Sequence, residues 1–149
     1  MATVSGGRRL EQALLDIAYR LGSNPQTLKV GFLQGATYPD GTPVALIAAI
    51  HNYGAPRANI PPRPFFSNMI RENAHKWPDA VSKNLKATNY SVDRTLHRLG
   101  EGIKGQLQQA IRDFAEVPLK PATIRRKGFD KQLIDTGHML RSVAYKVED

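Results

Sequence analysis

The chain has 149 residues, 41% of them hydrophobic, and no cysteine. That suits one domain with a buried core and excludes disulfide and thiolate chemistry. Lys and Arg number 21 against 13 Asp and Glu, a net charge of +8, which favours polyanions, acidic proteins or headgroups without choosing among them. No apolar run reaches the roughly 18 residues that a membrane span needs, and Glu11, Gln12, Asp16 and Arg20 interrupt residues 1–21, so no secretory signal is expected.

In chain order, Leu10, Leu14, Ile17 and Leu21 recur at helical spacing, with Gly22 as the stop. Residues 27–33, "TLKVGFL", place Leu28, Val30 and Phe32 on one face of a strand. "GATYPDGTP" follows. Its Pro39-Asp40-Gly41 is turn chemistry for either a long hairpin-like excursion or a mobile loop, and Tyr38, Pro39, Asp40 and Gly41 form a candidate docking loop within a flexible stretch at about 35–43, ordered on assembly. "TPVALIAAIHNYG" predicts a short buried helix, with Thr42 as N-cap, Pro43 in the first turn and Gly54 at the end.

Residues 55–64, "APRANIPPRP", predict an extended arm, because each residue before a proline is pushed out of the α region. A helix starts near Pro64 with Phe65, Phe66, Met69 and Ile70, and Pro78 kinks or restarts it. The longest helix begins after Ser91 and carries Val92, Leu96, Leu99, Ile103, Leu107, Ile111 and Phe114 on one stripe. Gly100, Gly102 and Gly105 interrupt its propensity, which signals close contact with another element or a break near Gly100. A turn of helix is expected from Pro121, then a short helical turn at Asp135 or Thr136, then a strand with Val143, Tyr145 and Val147 on one face. The expected fold is α+β: a helix-rich single domain with a small sheet whose strands lie far apart in sequence.

Candidate chemistry is thin. "LIDTG", residues 133–137, has the form of an aspartic-protease motif, but too little chain follows for the β-lobe that motif requires, and His138 stands where the pattern wants Ser or Ala. The structural reading is that Asp135 or Thr136 caps a short helix and Gly137 permits a tight turn. The four histidines, at 51, 75, 97 and 138, form no HxH or HxxxH pair, and there is no GxxxxGK[ST] or GxGxxG loop. No enzyme, cofactor or metal is therefore expected.

Two blocks point elsewhere. "AAIHNYGAPRANIPPRPFFSNMI" and "PLKPATIRRKGFDKQLIDTGHMLRSVAYKVE", the latter through Pro118, Leu119, Thr123, Lys127, Leu133, Asp135, Thr136, Gly137, Leu140 and Ser142, together resemble the tail-completion and head–tail joining proteins of tailed bacteriophages. The likeness is to the gene-product-ten-like tail components of lambdoid siphophages, and the two blocks cover roughly a third of the chain. The resemblance implies a non-enzymatic virion protein of a phage or prophage, assembled in the host cytoplasm. It implies a homo-oligomeric ring, often a hexamer, that contacts the tail tube protein and the head–tail connector at the neck.

In that setting Ile60, Pro61, Pro62, Arg63, Pro64, Phe65 and Phe66 are the candidate assembly interface. The prolines stiffen the arm, so little entropy is lost on docking. Arg63 reaches a carboxylate or a row of carbonyls. One of Phe65 and Phe66 enters its own core, since adjacent helical residues point about 100° apart, and the other meets a neighbour. The edge of the C-terminal strand is a candidate opposite half of the ring contact. The alternative is a basic nucleic-acid-binding accessory protein using Arg94, Arg98 and Lys104. Against it, only Arg125, Arg126 and Lys127 form a dense cluster. In the ring reading, DNA in the lumen is a further contact for the basic surface.

Overall fold

The computed structural model describes residues 7–22, 25–114, 125 and 137–149. In chain order these form α1 (Gly7–Gly22), β1 (Thr27–Phe32), α2 (Val44–Tyr53), a single 3₁₀ turn (Pro56–Ala58), α3 (Phe65–Asn73), a second 3₁₀ turn (Ala74–Lys76), α4 (Trp77–Ala87), α5 (Val92–Asp113), α6 (His138–Arg141) and β2 (Val143–Glu148). The class is the expected one, helix-rich α+β with a small antiparallel sheet. Among the described residues no helix is long and apolar enough to cross a membrane.

α5 is the spine. Its 22 residues span about 33 Å at the α-helical rise. It starts where Ser91 Oγ accepts a hydrogen bond from the Arg94 backbone N–H at 3.4 Å, with Asp93 in the first turn and Arg112 in the last, both favourable to the helix dipole. Its apolar stripe packs on α3, α4 and both strands. The core gathers Val44, Phe65, Met69, Leu107, Ile111 and Met139, among others. α4 is fastened to α5 by the Trp77 indole N–H donating to Gln106 Oε1 at 3.1 Å and by the buried hydroxyl pair Thr88–Thr95 at 2.8 Å.

The sheet closes the domain by joining segments from opposite ends of the described chain. β1 and β2 run antiparallel, with Leu28 opposite Val147, Val30 opposite Tyr145 and Phe32 opposite Val143. These three apolar pairs share one face, as alternation requires. Val143 is buried there in the core, and the Tyr145 ring lies over Gly100 of α5. The opposite face carries Lys29 and Lys146, both paired with Glu148.

Several expectations are corrected. α2 begins at Val44, one residue later than expected, and Pro43 rather than Thr42 flanks it. α2 is not buried all round: Val44, Ala48 and Asn52 face inward, while Leu46 and Tyr53 are 52% and 75% exposed. Residues 55–64 are not extended throughout. Pro56–Ala58 form the 3₁₀ turn and Ala55 pairs with Ile60, because Asn59 takes up a left-handed conformation (φ 53°) that folds the chain back. Only the stretch after Ile60 runs without helix or ladder. Of the three glycines in α5, only Gly100 makes a close approach, and the helix does not break there. The helical turn expected from Pro121 lies outside the described residues.

A Cβ at Gly100 would lie inside the van der Waals shell of the Tyr145 ring, whereas none at Gly102 or Gly105 would meet anything within 4 Å. Gly100→Ala is therefore expected to destabilise by about 1–3 kcal/mol through overpacking. Gly102→Ala and Gly105→Ala are each expected to stabilise by about 0.5–1 kcal/mol through helix propensity. Thermal unfolding of the three variants checks the opposite signs.

Candidate assembly surface

The surface is built on the corner between α2 and α3. α2 ends at Gly54, whose φ of 76° suits glycine. A Cβ there would come within 2.8 Å of both Ile60 O and Pro62 N. That close approach lets the chain turn sharply. The Ala55 N–H donates to Ile60 O at 2.9 Å and the Ile60 N–H to Ala55 O at 3.1 Å, closing the loop. The Arg63 N–H then donates to His51 O at 2.6 Å, which ties the proline stretch back along the end of α2.

α3 cannot cap itself, because Pro64 at its N-cap has no suitable side chain. The cap arrives from α2. Asn52, 5% exposed, accepts through Oδ1 from the backbone N–H groups of Phe66 and Ser67, both at 3.1 Å, and donates through Nδ2 to Ser67 Oγ at 2.8 Å. One buried carboxamide thus satisfies two of the N–H groups that the first turn of α3 leaves without helical partners.

This cap sets the direction of the two phenylalanines. Phe65 is 1% exposed in the core, edge-to-face with Phe32 at 6.4 Å between ring centroids. Phe66 is half-buried, edge-on to Phe65 at 6.3 Å, and lies over Gly31 of β1. It forms one wall of an open apolar groove of about 310 Å³ between β1 and α2, which Val30, Ala45, Ala49 and Tyr53 also line. The Arg63 side chain is half-buried, and its Nε is buried with no hydrogen-bond partner among the described residues. Of the sequence-selected residues, Ile60 to Phe66 thus lie together at one corner, with Pro61 and Pro62 exposed.

The second candidate loop is a hairpin-like excursion, with Thr37 bridged to Pro43, and it is closed by its own hydrogen bonds. The Tyr38 N–H donates to Thr42 O at 2.8 Å, the Gly41 N–H to Tyr38 O at 2.9 Å, and the Thr42 N–H to Asp40 Oδ1 at 2.9 Å. Gly41 has φ 85°. The Tyr38 ring lies 4.7 Å from that of His138, whose Nε2–H donates to Thr37 O at 2.8 Å. The loop is thereby joined to α6 and leaves Pro39, Asp40 and Gly41 exposed. Gly137 adopts φ 74° directly before α6, as a turn-forming glycine should, whereas Asp135 and Thr136 lie outside the described residues.

No group of three or more His, Cys, Asp or Glu side chains is gathered for a metal among the described residues. A larger recess, about 510 Å³ and more polar, lies between the end of α1 and the start of α5. Arg20 and Arg94 there are balanced in part by Asp93, and Arg20 donates to Asn89 O at 3.0 Å. The sequence reading missed Asn52, although an Asn at the next-to-last position of a helix that carries no Lys, Arg, Asp or Glu was a visible signal.

Three outcomes check this geometry. Asn52→Ala is expected to cost about 1–3 kcal/mol, since it removes a cap and leaves α3 N–H groups without an acceptor. Phe65→Ala is expected to cost about 3–5 kcal/mol and Phe66→Ala clearly less, measured by denaturant unfolding. The Thr42 hydrogen bond holds the Asp40 carboxyl below its ordinary value of 3.8. A lowered acid pKa contributes stability above the ordinary value and loses it as pH falls through the lowered one. In an NMR titration the Thr42 amide should therefore shift at a midpoint below 3.8, in step with the Asp40 carboxyl. No protein-family model, curated protein or solved structure matches this chain, so the reading of the surface rests on its own residues.

Proposed function

We propose that this chain is a structural virion protein of a tailed bacteriophage or prophage. In this reading it forms a homo-oligomeric ring at the end of the tail, completes the tail and joins it to the head. It performs no catalysis. The observation that carries the reading is the corner just described: the "IPPRPFF" segment, which with the downstream "LIDTG" block resembles the phage neck proteins, presents a half-buried arginine beside an open apolar groove.

The chemistry of that corner suits a subunit contact. The proline stretch is already tied to His51 O, so little conformational entropy is lost when a neighbour docks. A guanidinium with a buried, unpartnered Nε gains from a carboxylate or carbonyl supplied by that neighbour, and its planar fork favours bidentate contact. Phe66 and Tyr53 offer aromatic anchors of the kind that dominate interfaces.

The basic surface supports a second reading, nucleic-acid binding, through Arg94 and Arg98 on the exposed side of α5. Lys104 on the same helix is already paired with Glu101, and Lys29 and Lys146 with Glu148, which weakens a continuous phosphate track. Duplex DNA titrated at two salt concentrations separates the readings, because phosphate neutralisation gives a steep salt slope.

Arg63→Ala is expected to leave the melting temperature of the isolated subunit almost unchanged, since it removes no side-chain hydrogen bond among the described residues and keeps the backbone bond to His51 O. It is expected to block incorporation into tails. Cryo-electron microscopy of intact particles should show the wild-type chain as a closed ring at the neck. Its absence there, or normal tails carrying Arg63→Ala, overturns the proposal.

A further inference from the structure

Asp40–Gly41 is the chain's one Asp-Gly pair, and the chain has no Asn-Gly. Such a pair is prone to rearrange without an enzyme. The Gly nitrogen forms a bond to the Asp Cγ as the C–OH bond of the protonated carboxyl breaks, and the amide proton and the hydroxyl leave together as water. A second water then opens the resulting succinimide at one of two bonds. Cleavage between nitrogen and Cγ restores aspartate. Cleavage between nitrogen and the main-chain carbonyl carbon leaves isoaspartate, with the chain running through the former side chain. Glycine favours the first step because it has no side chain to crowd the attacking nitrogen. Both residues are exposed, and even a Cβ at Gly41 would meet nothing within 4 Å, so packing does not obstruct ring closure.

Hydrogen bonds oppose what packing permits. The attacking nitrogen must give up its proton, yet the Gly41 N–H donates to Tyr38 O at 2.9 Å. The carboxyl must be protonated and free to turn onto that nitrogen, yet Asp40 Oδ1 accepts from the Thr42 N–H at 2.9 Å. The same bond favours the ionised carboxylate and lowers its pKa, so at neutral pH a smaller fraction of Asp40 carries the proton. The two sides of the turn are tied as well, by the Tyr38 N–H to Thr42 O at 2.8 Å and the Val44 N–H to Ala36 O at 3.0 Å.

We propose that Asp40 is this chain's site of spontaneous isoaspartate formation, and that the hydrogen bonds of the Tyr38–Thr42 turn suppress the reaction in the folded protein. The reaction then runs only through opened turns. Releasing the Gly41 and Thr42 amides together makes such turns scarcer by about tenfold than in a free chain. Isoaspartate, once formed, lengthens the main chain by one carbon and carries the Gly41 N–H out of register with Tyr38 O, so the turn does not close again.

The test compares full-length protein, folded, with the same protein in guanidinium chloride, at neutral pH and one temperature. Isoaspartate is followed in the tryptic peptides, of which 30–57 carries Asp40, by chromatographic separation of the isomers and by enzymatic methylation of the isoaspartyl carboxylate. The denatured chain is expected to accumulate isoaspartate at Asp40, and the folded chain to do so about tenfold more slowly. T42P removes the N–H that holds the carboxylate and leaves the Asp-Gly pair intact, so its folded-to-denatured rate ratio is expected to rise towards one. D40E, whose longer side chain disfavours the five-membered ring, is expected to give no product in the peptide.

Equal rates in the folded and denatured wild-type protein overturn the proposal. So does isoaspartate that accumulates first at another position, or a folded T42P whose ratio stays at the wild-type value. Should T42P fail to fold, amide hydrogen exchange at Gly41 of the wild-type protein decides: slowing by about tenfold or more supports the guarded turn, and exchange at the open-chain rate overturns it.

Discussion

The carboxamide of Asn52 joins the candidate surface to the core. It accepts from the Phe66 and Ser67 N–H groups and donates to Ser67 Oγ, so the end of one helix serves as the cap of the next. A helix preceded by prolines cannot supply that cap from its own chain, and burying its first N–H groups unpaired would be costly. Once the cap is in place, the direction of α3 is set. Phe65 enters the core against Phe32, and Phe66 is left over Gly31 at the wall of the groove. The same corner holds Arg63 through its backbone contact with His51.

Around that corner the molecule is organised by α5. It packs against α3, α4 and both strands. The sheet is narrow, two strands among the described residues, and a two-stranded ribbon is marginal unless a helix covers it. Gly100 provides the cover at closest range, because the absence of a side chain lets the Tyr145 ring settle on the helix backbone. Tyr145 also contacts His97 of α5 through its hydroxyl at 3.1 Å. Burial, then the Glu101 carboxylate, raise the pKa of this phenol above its ordinary value.

The apolar residues of this chain fall into two populations. Those facing inward from α2, α3, α5, α6 and β2 meet each other and form the core. Those of α1 and the outer side of α2 remain in water beside a strongly basic surface. The turn at Tyr38 to Gly41, by contrast, is closed by local hydrogen bonds and by the His138 contact.

Much of the fold was legible in the residues alone because its signals are local. The 3.6-residue stripe from Val92 to Phe114, the Ser91 cap, the alternation in both strands and the restart at Pro78 each depend on neighbours within a few positions. What only the tertiary structure decided are the long-range choices. Periodicity names an apolar face but not its partner, so Leu10 and Leu107 look alike in sequence, yet one lies in water and the other in the core. Proline statistics foresaw an extended arm but not that Asn59, in a left-handed conformation, would fold Ala55 onto Ile60. Three glycines in one helix carried the same propensity signal, and only the approach of Tyr145 from the far end of the chain singled out Gly100. The physical reason is common to all three: a side chain's preference is local, whereas its burial is decided by whatever segment folds against it.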